Sequence, residues 1–242
     1  MTSDGLASYP LFLVGFVLLC LILMIFSYYA EKKRREELLL ESLDLGLTFD
    51  QNDPFSIETR YEFFSWIDQG HNRTAYNVMY GTVDDFEIKA FDYRFYTMES
   101  GHNAAGNPSS NESRHDFSAI IADTKCLFKE LHIKPEGFFD RIGDALGFAD
   151  IDFESDEFSR AYCVKGPDKK FAYDMIHPRM MELLMVDRRW SMEFKANCIM
   201  LVLGTSNFTP DQIKDGIARV RQMMALIPDY LKQQIAIGGA SQ

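Results

Sequence analysis

From Pro10 to Tyr29 the chain carries no charged residue, and thirteen of these twenty positions are Leu, Ile, Val or Phe. Nothing else in the sequence limits the possible folds so severely. At a rise of about 1.5 Å per residue, a helix of this length spans about 30 Å, the thickness of a bilayer's hydrocarbon core. Each large apolar residue favours insertion by roughly 0.3 to 0.6 kcal/mol at the helix centre, so the run is worth at most a few kcal/mol. Tyr9, Tyr28 and Tyr29 stand where aromatic side chains meet headgroups. A cleaved signal peptide would need basic residues before the run, a shorter apolar core and a small-x-small cleavage site. Here Asp4 precedes the run and the basic residues follow it.

Those bases are Lys32, Lys33, Arg34 and Arg35, and their place just past the apolar run predicts a membrane-interface role. By the positive-inside rule this end faces the cytoplasm, so the expected topology is single-pass, with the N-terminus outside and the large domain inside. The charge supports a division of labour. The net charge is −11; residues 1–30 contribute −1 and Glu31 to Glu37 contribute +1, so the rest holds the remaining −11. An acidic domain of this kind argues against nucleic acid as a partner and against lying flat on an anionic surface. The bilayer itself is the expected partner. Residues 1–45 then form an anchor and juxtamembrane stalk, and residues 46–242 a cytoplasmic domain. Cys126, Cys163 and Cys198 are scattered and none forms a C-x-x-C pair, which fits a reducing compartment.

In the domain, Asp53-Pro54-Phe55-Ser56 opens a helix carrying Ile57, Tyr61, Phe64 and Ile67, with Gly70 as its stop. Strands are expected over 76–83 and 86–97, joined by a tight turn at Asp84-Asp85. Apolar parity changes at Phe91 in the second strand, predicting a bulge or a stretch buried on both faces. Glu99 to Arg114 reads as a long polar loop, with strands at 116–122 and 131–134 after it. A short helix is expected over 137–148, a strand over 158–164, and a helix over 170–185 broken at Pro178. Trp190 to Leu203 reads as a hairpin turning at Lys195-Ala196-Asn197, with one long strand as the alternative. Thr209, Pro210 and Gln212 form a capping box for a last helix whose Ile213, Ile217, Val220, Met224 and Ile227 share one face. The order lacks regular βαβ alternation. It predicts an α+β fold with a mainly antiparallel sheet covered by helices on one face. A partly open barrel of pleckstrin-homology type is also compatible.

The densest polar stretch holds Asp150, Asp152, Glu154 and Asp156, which makes them weak acidic or metal candidates. A calcium loop fails at its sixth and twelfth positions, occupied by Ser155 and Ala161. An extended backbone would instead set these carboxylates on one face and Ile151 and Phe153 on the other. No metal and no cofactor is expected. Catalytic motifs are lacking: no G-x-S-x-G, P-loop or dinucleotide fingerprint occurs. His177, at a helix break, is expected to cap or pack. The late methionines either fill the core or line an adaptable groove.

Several phrases together resemble a family of uncharacterised single-pass bacterial membrane proteins with a cytoplasmic α+β domain. They are Asn77-Val-Met-Tyr-Gly81, Phe91-Asp-Tyr93, Lys134-Pro-Glu-Gly-Phe-Phe-Asp140, Asp150-Ile-Asp-Phe-Glu-Ser155 with Phe158-Ser-Arg160, and Phe171-Ala-Tyr-Asp174 with His177-Pro-Arg-Met-Met-Glu182. The resemblance implies a bacterial inner-membrane setting and transfers no catalytic residue. Two functional expectations follow. The first is a membrane-tethered protein-interaction or ligand-sensing module. The second is a membrane-bound, hydrolase-like enzyme built on dispersed carboxylates and His177.

Overall fold

A computed structural model describes residues 8–102, 108–136 and 147–236. Helix α1 runs unbroken from Ser8 to Asp44. Its side chains over 13–30 are exposed apart from the half-buried Cys20, while Leu38 and Ser42 are buried against the domain. One element therefore begins as a bare apolar rod and ends as part of a packed core. Gly46, with φ 69°, turns the chain out of the helix, and the short strand β1 (Thr48–Asn52) follows.

The sheet is antiparallel and open. β1 pairs with β2 (His71–Val83), β2 with β3 (Phe86–His102), and β3 with β4 (Pro108–Pro135). β4 also pairs with β5 (Tyr162–Lys165) and β6 (Ser191–Val202). The expected α+β class with a mainly antiparallel sheet is the observed one, and the sheet does not close into a barrel. The Asp84-Asp85 turn is a two-residue hairpin with Val83 opposite Phe86. Asp84 adopts φ 54°, a conformation that Asp tolerates in tight turns.

Several boundaries differ from expectation. In the polar stretch 99–114 the described residues, 99–102 and 108–114, are strand: β3 and β4 stay in register through Glu99 opposite Asn111 and on to His102 opposite Pro108. A ladder needs only backbone partners, so a polar composition did not prevent it. The strands expected at 116–122 and 131–134 are one strand, β4, interrupted by a register shift between Asp123 and Phe128. The Trp190–Leu203 segment is the single strand β6; Ala196, with φ 53°, bends it where a hairpin turn was expected. The helix expected after Ser56 is one turn, α2 (Ile57–Arg60), followed by further turns. The strand expected over 158–164 is shortened by α3 (Asp156–Ala161). Most of the helix expected over 137–148 lies outside the described residues.

Both faces of the sheet are covered. On one, Ile88, Ala90, Ile120 and Leu201 meet Leu38 of α1, Met180 and Leu184 of α5 (Pro178–Val186), and Ile213, Ile217 and Val220 of α6 (Pro210–Leu226). α6 carries the capping box expected for it, with both Thr209 and Gln212 bonds formed. α4 (Lys169–Met175) and α7 (Asp229–Ile235) pack on the same core. On the other face, Phe91, Tyr93, Phe117 and Met200 meet Ile57, Tyr61, Phe64 and Trp66. The parity change at Phe91 thus marks burial on two sides; β3 keeps its register with β4, and the bulge sits in β2.

The second face also buries charge. The Glu193 carboxylate accepts from the Ser65 amide at 2.8 Å and from the Ser65 hydroxyl, with Lys134 Nζ and His132 Nδ1 each 3.5 Å away. Burial pushes this carboxyl up. The nearby His132 and Lys134, with the bonds from Ser65, outweigh that and leave it below the ordinary range. Burial lowers Lys134, which Glu193 only partly offsets. A carboxyl held below its unfolded value stabilises the fold fully above an unfolded pKa of about 4.3 and loses that contribution as pH falls through the native value. Acid unfolding of the full chain in detergent should therefore steepen below about pH 4. Glu193→Gln should lower stability near neutrality and flatten that slope; an unchanged slope would remove Glu193 from the linkage.

Candidate functional site: a polar cavity at the foot of the anchor helix

The helix-covered face of the sheet changes character one row above the apolar core. Along β3, Ile88 and Ala90 give way to Asp92 and Arg94; along β4, Ile120 gives way to Ser118 and Asp116. Strand alternation keeps these residues on one face, so the polar rows continue the core outward. Over them lies α1. Arg34 donates to Asp92 through Nε at 2.9 Å and Nη2 at 2.6 Å, and to the Phe208 carbonyl through Nη1 at 2.9 Å. Asp92 also accepts from Asn77 Nδ2 at 2.9 Å and Ser118 Oγ at 2.5 Å. Ser118 Oγ in turn accepts from the Phe208 amide at 2.9 Å.

A buried carboxylate is tolerable only when its lone pairs are filled, and these four donors fill them. Asn77 reaches Asp92 because β2 bulges there: φ is 51°, and the register shifts between Tyr76 and Met79. Asn adopts this left-handed conformation more readily than most residues. Burial depresses the Arg34 guanidinium, but the hydrogen bond and charge of Asp92 more than compensate and raise it.

Beside this pair is a second cluster. Asp116 accepts from Arg94 Nε at 2.7 Å, Arg114 Nε at 2.6 Å and Tyr76 Oη at 3.0 Å. Burial raises the Asp116 carboxyl, and the bonds from Arg114 and Arg94 bring it below the usual range. The same carboxylates and burial push the Tyr76 hydroxyl up to about 12, with burial the largest cause. Together with Glu31, Arg35, Gln51, Thr74 and the 205–207 turn, these residues enclose a cavity of about 600 Å³.

The basic residues expected at the membrane interface divide. Arg34 turns into the domain. Arg35 lines the cavity and lies 3.7 Å from Glu31. Lys32 and Lys33 make exposed pairs with Glu36 and Glu37 at 3.8 and 3.6 Å. The acidic candidates do not form one site. Asp150, Asp152 and Glu154 are exposed, with Ile151 and Phe153 buried between them, as an extended backbone requires. Asp156 leaves this row because Ser155 caps α3 there. Asp150 lies 3.4 Å from Lys165. Among the described residues, no group of three or more His, Cys, Asp or Glu is placed to hold a metal ion.

His177 is bound through Nε2 to the Leu226 carbonyl at 2.9 Å and starts α5. It also borders a second cavity, of about 990 Å³, with Phe153, Tyr173, Met181 and Met185 in its wall and Asp152, Glu154, Glu157 and Glu182 around it. The late methionines thus serve both purposes: Met175, Met180, Met192, Met200 and Met223 are core, whereas Met181 and Met185 line the groove. In the sequence Arg34 reads only as a membrane-interface base, and Asp92 and Asn77 carry no site reading of their own. The available signal is the pair Asp92 and Arg94 interrupting the aromatic run Phe91 to Tyr96 at alternate positions.

Removing Arg34 leaves Asp92 buried with two neutral donors. Arg34→Ala should destabilise the chain by about 3–5 kcal/mol, and Arg34→Lys should recover only part of this because an ammonium cannot bond bidentately. Chemical denaturation of the full chain in detergent measures both; a loss under about 1 kcal/mol for Arg34→Ala would place the pair among ordinary surface contacts.

No protein-family model matches the chain, and no curated protein does. Among solved structures, the chain is similar to the mycobacterial trehalose monomycolate transport factor A, TtfA. The TM-score is 0.59 at 12% identity, over 80% of this chain and 96% of that one. At this identity the likeness establishes a shared fold.

Proposed function

We propose that the chain is a membrane-tethered interaction module that serves as an accessory factor to a membrane-embedded assembly. The observation that carries this reading is the continuity of α1. An exposed apolar span passes without a linker into a helix whose Leu38 and Ser42 are core and whose Arg34 is bound to the sheet. A domain so mounted stands at one height and one orientation relative to the bilayer. That suits docking beside another membrane protein, whereas an enzyme on a soluble substrate would have no need of it. The Lys32–Arg35 block supports an N-out orientation with the domain on the cytoplasmic side. The fold shared with a transport factor supports an accessory role in transport.

The groove bordered by Met181 and Met185 is the docking surface in this reading. Its flexible thioethers and four surrounding carboxylates complement an apolar segment that carries basic residues. Affinity purification of the full chain from native membranes should recover an integral membrane protein at near-stoichiometric amounts. Met181→Asp with Met185→Asp should lose it, and so should a Gly-Ser insertion between Ala30 and Glu31, with the domain still folded. A full chain that leaves the membrane without a stoichiometric partner would overturn the proposal.

A further inference from the structure

The cavity at the foot of α1 has a composition and a position that together select a ligand. Arg34 is spent on Asp92 and the Phe208 carbonyl, but Arg35, Arg94 and Arg114 also line or border the space. Arg94 and Arg114 commit four N–H groups to Asp116 and Tyr76. With five N–H groups on each guanidinium, donors remain on both. Three carboxylates oppose these cations: Asp92, Asp116 and Glu31. The balance of four guanidiniums and three carboxylates is one net positive charge, within a chain of net charge −11.

Hydrogen-bond acceptors are also left over. Asn77 Oδ1 and Asn207 Oδ1 are buried in the lining and lack a partner among the described residues, and Asn77 as a whole is 95% buried (5% exposed). A buried carbonyl oxygen without a donor costs roughly 1–3 kcal/mol, which a hydroxyl-bearing ligand would recover. Guanidinium forks favour phosphate, and amide oxygens favour hydroxyl groups.

Position then supplies the source. Five residues separate Tyr29, the last residue of the apolar run, from Arg34, about 8 Å along a helix. The headgroup layer on each side of the hydrocarbon is roughly 5–8 Å deep. The α1 wall of the cavity, at Glu31, Arg34 and Arg35, therefore stands at headgroup level when the span is in a bilayer.

We infer that this cavity binds a phosphate bearing a polyol, presented as the headgroup of an anionic lipid. The phosphate sits against Arg35, Arg94 and Arg114, and polyol hydroxyls donate to Asn77 and Asn207. The inference rests on the proposed membrane setting and is independent of the Met-lined groove and of any protein partner.

Native mass spectrometry of the full chain in detergent, with phosphatidylglycerol or phosphatidylcholine added, tests it. A saturable 1:1 phosphatidylglycerol adduct is expected, at least tenfold tighter than phosphatidylcholine. Arg94→Gln with Asn207→Ala should weaken it about tenfold, whereas Lys32→Gln with Lys33→Gln, which removes more charge outside the cavity, should change it less than twofold. A parallel titration with sn-glycerol 3-phosphate distinguishes the source. Weak competition assigns the site to lipid; binding as tight as phosphatidylglycerol's keeps the chemistry but overturns the lipid source. Equal affinity for the two lipids, or losses that follow the number of charges removed rather than their location, would overturn the site.

Discussion

The bond between Arg34 and Asp92 joins two parts of the chain that obey different solvents. Arg34 lies five residues past an apolar run suited to lipid; Asp92 is buried in β3, inside the sheet. A planar guanidinium bonded through two nitrogens fixes angle as well as distance. Asp92 cannot relinquish the contact cheaply, because its carboxylate is already removed from water. One turn later Leu38 enters the apolar core, and beyond it Lys214 of α6 reaches Glu41 at 3.3 Å and Asp44 at 2.8 Å. The helix is thereby held at three successive levels by three kinds of interaction.

The same pair organises the space around it. Asp92 takes two donors from Arg34, and the other two draw Asn77 into a bulge and Ser118 onto the sheet face; Phe208 closes over them, its amide donating to Ser118 and its carbonyl accepting from Arg34. Each of those placements leaves a polar surface where the apolar core would otherwise have continued. The cavity is a consequence of ending a core on a buried ion pair. Its basic residues stand out in a chain of net charge −11, and α1, which carries the exposed apolar run, forms one of its walls.

What could be read from the sequence was local. The apolar span, the Thr209–Gln212 capping box, the Asp84-Asp85 turn and the break at Pro178 each depend on residues a few positions apart, and each stands in the structure. The alternation of Ile151 and Phe153 with exposed carboxylates was readable for the same reason. Strand lengths were not. The described residues 99–102 and 108–114 are polar because that end of the β3–β4 pair has no core to meet, and the ladder that makes them strand is invisible in composition. Of the two readings of Trp190–Leu203, the single long strand holds; the hairpin is suggested because Ala196 takes a left-handed conformation usually left to Asn or Gly, with Asn197 beside it. The site lay furthest out of reach. Arg34 and Asp92 are 58 residues apart, Arg34 and Phe208 are 174 apart, and a basic residue after an apolar span reads first as a lipid contact.

The contacts of Arg34, Leu38 and Lys214 require the span and the sheet to move as one body. Spin labels at Ser27 and Thr82, one on the apolar helix and one on β2, allow their separation to be measured by pulsed dipolar spectroscopy in lipid bilayers. A single narrow distance distribution that broadens in Arg34→Ala is the predicted result. A broad distribution in the unaltered chain would show a loosely tethered domain and contradict the account.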